Sequence, residues 1–242
     1  MNLQTVLRAV FPPECLNCGA RVEDDFALCG ACWTQTPFIL GAACHLCGKA
    51  LPGQTAAAGE RLICEECHQI ARPWEQGRAV VSYADVGRKL VLGLKHGDRA
   101  EVARAAGPWL ARAGADLLAD DPLLVPIPLH PLRLARRRYN QSALLAVAMA
   151  RATGLEVALQ ALVRVRATSS QDGKDRNARF ENVDGAIAPH PRHGAGLEGR
   201  AVLLIDDVFT SGATFAAAAE ACRVAGTTHL RVLALARVGL DA

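Results

Sequence analysis

Aromatic side chains are scarce in this chain of 242 residues: three Trp, two Tyr and six Phe. Single-stranded nucleic acid is commonly gripped by stacking its bases on aromatic rings, so any such contact here is expected to be electrostatic and weakened by salt. Long apolar runs are missing as well. No uninterrupted hydrophobic span reaches the length of a bilayer, and the first residues lack the basic-then-apolar order of a secretory leader. A soluble, cytoplasmic protein without membrane insertion is the expectation. Cysteine is nearly absent from the last two thirds, where only Cys222 occurs. What is plentiful is hydrophobic residues, 51% of the total, which makes a proper core feasible and excludes global disorder. The length allows one large or two smaller domains.

The other eight cysteines form four C-x-x-C pairs: Cys15/Cys18, Cys29/Cys32, Cys44/Cys47 and Cys64/Cys67. Two cysteines at this spacing turn both sulfurs toward one tetrahedral metal, and two such pairs complete a four-cysteine zinc site. Gly19 and Gly48 follow Cys18 and Cys47 and permit the tight turn of a zinc knuckle. The pattern is therefore a duplicated unit. Sequential pairing leaves spacers of 10 and 16 residues, the second in the usual range and the first short. Two sequential ribbons, each holding a structural Zn²⁺, are expected; an interleaved cross-brace, first pair with third and second with fourth, is the alternative. A reducing cytosol argues against disulfides, and redox C-x-x-C motifs normally come singly on a βαβ fold. His45 and His68 adjoin ligand cysteines and are expected to be bystanders, and Cys222 a small core residue.

Zinc changes the electrostatics. Residues 1–77 carry 5 Lys/Arg against 8 Asp/Glu, whereas residues 78–242 carry 22 against 16. Each four-thiolate site adds about −2 to the first part. An acidic zinc module is a poor clamp for a phosphate backbone, so nucleic-acid contacts are expected mainly from the basic C-terminal part.

Val202 to Thr214 joins an apolar run to two acids and a hydroxyl-rich turn. Val202 to Ile205 predicts a buried parallel strand. Ala213 to about Val224 predicts a helix stopped by Gly226. Between them, Thr210, Ser211, Gly212, Ala213 and Thr214 bring backbone N–H groups and hydroxyls to a helix N-terminus, an anion site. Asp206 and Asp207, at the carboxyl end of the strand, suit a pair of sugar hydroxyls. A phosphate beside a ribose diol is the predicted ligand. These residues resemble the phosphoribosyl-pyrophosphate (PRPP) motif of type I phosphoribosyltransferases along its whole length. The resemblance implies that Asp206 and Asp207 hold the ribose 2′- and 3′-hydroxyls, with Mg²⁺ accompanying PRPP. It also implies that the 210–214 turn cradles the 5′-phosphate.

Elsewhere, Leu3, Val6, Leu7 and Val10 have the spacing of a short amphipathic helix. Ala79 to Tyr83 predicts a strand, Val86 to Leu94 a helix, and Ala100 to Ala119 a long helical region broken at Gly107-Pro108. Leu123 to Pro128 and Thr228 to Ala236 predict strands, and Ala143 to Arg151 a helix ended by Gly154. Strands alternating with helices indicate an open, mostly parallel α/β sheet. The loop after Pro128 carries His130, Arg133, Arg136, Arg137, Arg138, Asn140 and Gln141; its cations suit pyrophosphate if it faces the phosphate turn, and Lys95 offers one more. The polar segment with Gln171, Arg176 and Arg179 has the composition of a mobile hood over ligand; residues 183–200 carry no clear signal beyond His190 to Gly194, which reads as a loop.

With the cysteine pairs, Leu94 to Gly97, Val125 to His130, Arg138 to Gln141, Gln171 with Arg176, Arg179, Asn182 and Val183, and the PRPP motif, in that order, the chain resembles the ComF family over nearly its full length. The family commonly has an aromatic where His96 stands and Phe where Tyr139 stands. The resemblance implies a type I phosphoribosyltransferase-like domain, residues 73–242, behind an N-terminal helix and double zinc ribbon, residues 1–72. It also implies a role with single-stranded DNA and other DNA-uptake proteins in natural transformation. Two functions compete on these residues: a PRPP or phosphoribosyl-binding protein that handles single-stranded DNA, or an active phosphoribosyltransferase displacing pyrophosphate from PRPP with an unidentified acceptor.

Overall fold

The computed structural model describes residues 8, 11–55, 57, 60–96, 99–168 and 176–239, with backbone only at 96, 176 and 177. Leu3, Val6, Leu7 and Val10 of the expected N-terminal helix and Gln171 lie outside the described residues, as does the side chain of Arg176. Four parallel strands form the central sheet: β1 (Gln76–Ser82), β2 (Leu123–Pro126), β5 (Ala201–Phe209) and β6 (His229–Arg237), in the order β1-β6-β5-β2. β3 (Leu162–Arg164) and β4 (Ile187–Pro189) form a separate antiparallel pair. The α/β expectation holds: an open parallel sheet flanked by helices, with a small cysteine-rich module before it.

β5 shows why continuous apolar runs become central parallel strands. Val202 and Leu204 enter one core with Trp74, Phe215 and Ala218, while Leu203 and Ile205 enter the other with Val91, Leu110 and Leu145. A strand buried on both faces needs hydrophobic side chains at every position. The second core is covered by the helices Asp85–His96, Glu101–Ala113 and Gln141–Thr153, and the first by the helix Ala213–Val224 and the second cysteine cluster.

Two local expectations need correction. The helix Glu101–Ala113 runs unbroken through Gly107 and Pro108. Burial of Val102, Ala103, Ala106 and Leu110 on one face outweighs the hydrogen bond that Pro108 forfeits. Residues 131–137 are a short helix, with Pro131 at its first turn and Arg138 left-handed (φ 67°) at its end. Residues 187–189, which carry no clear sequence signal, are the strand β4.

The cysteine-rich module docks on the sheet edge. β1 would otherwise expose unpaired backbone groups, an aggregation hazard. Instead Ile39 donates to the Val80 carbonyl (2.9 Å), Ser82 to that of Pro37 (2.9 Å) and Gly77 to that of His45 (2.9 Å). The rings of Trp33, Phe38 and Trp109 close the seam, with Phe38 4.6 Å from Trp33 and 5.4 Å from Trp109. Among the described residues no helix is long and apolar enough to cross a membrane.

Candidate functional site

The cysteines gather as two sequential sets, Cys15, Cys18, Cys29 and Cys32, then Cys44, Cys47, Cys64 and Cys67, with the sulfurs of each set within 4.8 Å of one another. The cross-brace alternative is thereby excluded, and His45 and His68 belong to neither set. Zn–S bonds of about 2.3 Å in a tetrahedron place the sulfurs about 3.8 Å apart. Cys18 and Cys29 stand 3.7 Å apart and Cys47 and Cys64 3.6 Å, so the donor set fits Zn²⁺. Backbone N–H groups of Cys29 and Cys64 donate to the sulfurs of Cys15 (3.2 Å) and Cys44 (3.3 Å), which favours thiolate. Gly19 (φ 74°) and Gly48 (φ 67°) take the left-handed knuckle turns. Cys222 is fully buried in the core, and burial pushes its thiol up to about 12.

At the carboxyl end of β5, a cleft of about 180 Å³ is lined by Lys95, Arg133, Arg137, Gln141, Ser142, Arg164, Asp206, Asp207, Thr210 and Thr214, among others. The Ser142 hydroxyl and the Asp207 N–H both donate to Asp206 Oδ1, at 2.7 and 2.9 Å. Lys95 Nζ lies 3.4 Å from Asp207 Oδ2. Burial, then the adjacent Asp207 carboxylate, push Asp206 up to about 7. A carboxyl whose folded pKa is raised binds its proton better folded than unfolded, so stability falls as pH rises from about 4 through 7. Asp206→Asn, which mimics the neutral form, is therefore expected to raise the melting temperature at pH 8 by about 5 °C, with the gain fading below pH 5. Thermal melts across that range check it; a pH-independent difference would contradict the buried charge.

Several expected residues converge on this cleft and others do not. Asp206, Asp207, Thr210, Thr214, Lys95, Arg133, Arg137 and Gln141 line it. Ser211 is buried, and its hydroxyl accepts from the Ala213 N–H at 3.4 Å, closing the turn. Gly212 (φ 85°) and buried Ala213 complete it. Asn140 frames the site from behind: its side chain caps the helix Gln141–Thr153 through the Ser142 N–H (3.1 Å) and donates to the Ile127 carbonyl (2.9 Å). His130 Nδ1 caps the helix Pro131–Arg137 by accepting from the Leu132 N–H (3.3 Å). Arg136 and Arg138 are exposed and, like Arg179 on the helix Arg176–Val183, do not line the cleft.

Sequence reasoning missed Ser142 and Arg164. Arg164 is 5% exposed, donates to Thr168 Oγ1 at 2.8 Å, and among the described residues keeps a buried Nε without a partner. Arg133 donates to the Thr168 carbonyl at 2.7 Å, drawing both guanidiniums to one segment. Buried Gln141 likewise keeps Nε2 unpartnered. Orphan donors and four cationic side chains in one cleft fit an anion. No local pattern marks Arg164: it shares the inward face of β3 with Leu162, but the strand is only three residues long.

Proteins of known name are similar to this chain over most of its length. Residues 6–68 match the double zinc ribbon domain model. The DNA utilization protein YhgH of Escherichia coli (strain K12) is 30% identical over 225 residues, covering 86% of this chain and 97% of that protein. The competence protein ComFC of Bacillus subtilis (strain 168) is 27% identical over 206 residues, 82% of this chain and 79% of that one. The chain belongs to the ComF family. Among solved structures, glutamine PRPP amidotransferase from B. subtilis, complexed with ADP and GMP, aligns at 21% identity with a TM-score of 0.39, covering 60% of this chain and 30% of that one. For this ComF protein the zinc-ribbon match spans both four-cysteine sets.

Proposed function

We propose that the cleft binds PRPP or another phosphoribosyl ligand, in a cytoplasmic protein that handles single-stranded DNA during DNA uptake. The observation that carries this is the joint lining of one cleft by paired acids, Asp206 and Asp207, the hydroxyls of Thr210 and Thr214, and the cations Lys95, Arg133, Arg137 and Arg164. Asp206 and Asp207 accept from the ribose hydroxyls, and the 210–214 turn offers N–H groups to the 5′-phosphate. Lys95 exchanges its Asp207 partner for ligand oxygens, while Arg133, Arg137 and Arg164 face the pyrophosphate. Mg²⁺, held through Asp206 and Asp207, would offset charge on ribose and pyrophosphate oxygens. The names of YhgH and ComFC support the DNA setting, and exposed Arg136 and Arg138 beside the cleft supply the groove's outer charge.

Calorimetry of PRPP with and without Mg²⁺, on wild type and on the Asp206→Asn/Asp207→Asn double variant, tests the site. Binding that needs Mg²⁺ and falls more than about 100-fold in the variant is expected, since the variant loses two charge-assisted interactions. A folded, zinc-loaded wild type that ignores PRPP overturns it. Titration with labelled single-stranded DNA at rising salt tests the setting: affinity should fall steeply with salt and with neutralisation of Arg136 and Arg138. Release of pyrophosphate from PRPP with an added base or amine would instead establish the transferase reading, in which a nucleophile displaces pyrophosphate at C1 of the ribose.

A further inference from the structure

The phosphate turn is held from behind by a buried ionic frame that begins inside the second zinc ribbon. Glu66 lies between Cys64 and Cys67. Its Oε1 accepts from Arg72 at 3.0 Å and its Oε2 from Arg237 at 2.7 Å. The three side chains are 4%, 1% and 3% exposed. Each arginine then reaches the turn: Arg72 donates to the Ser211 carbonyl at 2.6 Å and Arg237 to the Thr210 carbonyl at 2.8 Å. Both guanidiniums also lie against the Phe209 ring, at 5.7 and 4.6 Å from its centroid.

Peptide planarity gives this frame a chemical consequence. In a trans peptide the carbonyl of one residue and the N–H of the next point in opposite directions. Pinning the Thr210 and Ser211 carbonyls toward the arginines therefore turns the N–H groups of Ser211 and Gly212 away from them, to the side where an anion can accept. Gly212 is required for the close approach: a Cβ there would stand 2.6 Å from Arg72 Nη1, and its φ of 85° disfavours any side chain. Glu66 shares its charge between the two arginines, the Cys47 thiolate of the second cysteine set faces Arg237, and carbonyl dipoles and ring faces complete the frame. Nothing in the PRPP motif itself calls for these residues.

We infer that Glu66 is a positioning residue for the phosphate turn, acting through Arg72 and Arg237, so that the second zinc ribbon orients the N–H groups that receive the 5′-phosphate. The inference rests on the phosphoribosyl reading for the ligand's identity but not for the geometry. Glu66 is fixed at its own end by the zinc ligands on either side; the ribbon is a template for the site as well as a fold stabiliser.

The test uses the full zinc-loaded chain with Arg72→Met, which leaves the Glu66–Arg237 pair in place and is expected to fold, and with Glu66→Gln. Two readouts are needed. Amide hydrogen exchange at Ala213 and Ala216, whose N–H groups donate to Ser211 Oγ and the Gly212 carbonyl, should accelerate at least about 10-fold in both variants, with two zinc retained and the exchange of β5 unchanged. Ribose 5-phosphate affinity should fall at least about 10-fold, while Mg²⁺-pyrophosphate affinity, read by the cations of the cleft, changes less than about 2-fold. Unchanged exchange at the turn overturns the positioning role whatever the ligand is. Uniform acceleration across the sheet, with both ligands lost together, overturns it in favour of general stabilisation. If exchange responds as expected while wild type binds no ribose 5-phosphate, the frame stands and the phosphoribosyl reading fails.

Discussion

Cys64→Ser is expected to leave one zinc per chain and to lower the melting temperature by about 10 °C or more, whereas Cys18→Ser, which also removes one zinc, costs less than half as much. The asymmetry follows from where the two sets lie. Cys44, Cys47, Cys64 and Cys67 are 0–6% exposed and pack in the same core as Trp74, Phe209 and Phe215, while Cys18 is exposed at the rim. Structural zinc in a ribbon contributes folding free energy directly, because the metal binds only where the ligands are already gathered. In the second ribbon that energy also holds the Leu46 carbonyl that accepts from Trp74 Nε1 at 2.7 Å, the Gly48 turn against β1, and Glu66 between its arginines. A Cβ on Gly48 would approach the backbone N of Ala79 to 2.5 Å, so the knuckle has no slack if the metal is lost. Losing a few kcal/mol in a domain of this size moves the midpoint by about 2–4 °C for each. Metal analysis beside calorimetric melts checks this. Equal losses from the two variants would mean that the second ribbon is not part of the core.

The parts of the molecule legible in the sequence were those whose chemistry is local. β5 and the helix Ala213–Val224 were read from an apolar run, a positive-φ turn residue and a terminating glycine, all within 25 residues. The four C-x-x-C pairs were legible from spacing, but sequential pairing was separated from a cross-brace only by the gathered sulfurs. Arg133 and Arg137 share the cleft because i and i+4 lie on one face of a helix, but this became visible only once 131–137 proved helical. β4 is three residues long, too short for a period-2 pattern to stand out. The Glu66 frame joins residues separated in sequence by 171 positions. No local preference encodes such a contact. The supposed break at Gly107-Pro108 shows the opposite error, a strong local signal overruled by packing.

That overruled glycine should prove one of the least replaceable residues: Gly107→Val is expected to cost about 3 kcal/mol or more and to weaken ligand binding about 10-fold. A Cβ built at Gly107 stands 2.6 Å from the Ala148 carbonyl oxygen and 2.8 Å from its carbon, so the helices Glu101–Ala113 and Gln141–Thr153 touch backbone to backbone. Helix propensity argues the other way, since Gly costs about 1 kcal/mol relative to Ala in a helix interior. Overpacking against backbone typically costs 1–3 kcal/mol for small additions, and valine adds two methyl groups that a flexible neighbour cannot yield to. The clash wins. Its effect reaches the cleft because the displaced helix begins at Gln141 and Ser142, and Ser142 holds Asp206 at 2.7 Å while Asn140 ties the same end to Ile127. Pushing the helix outward by even half an ångström loosens the hydrogen bond that sets the Asp206 carboxylate. Gly107→Ala grades the effect, with its propensity gain subtracted from a smaller clash. Melts and PRPP titrations of both variants read the two consequences separately; a valine variant as stable as wild type would mean that the helices separate freely and that the site is not anchored through them.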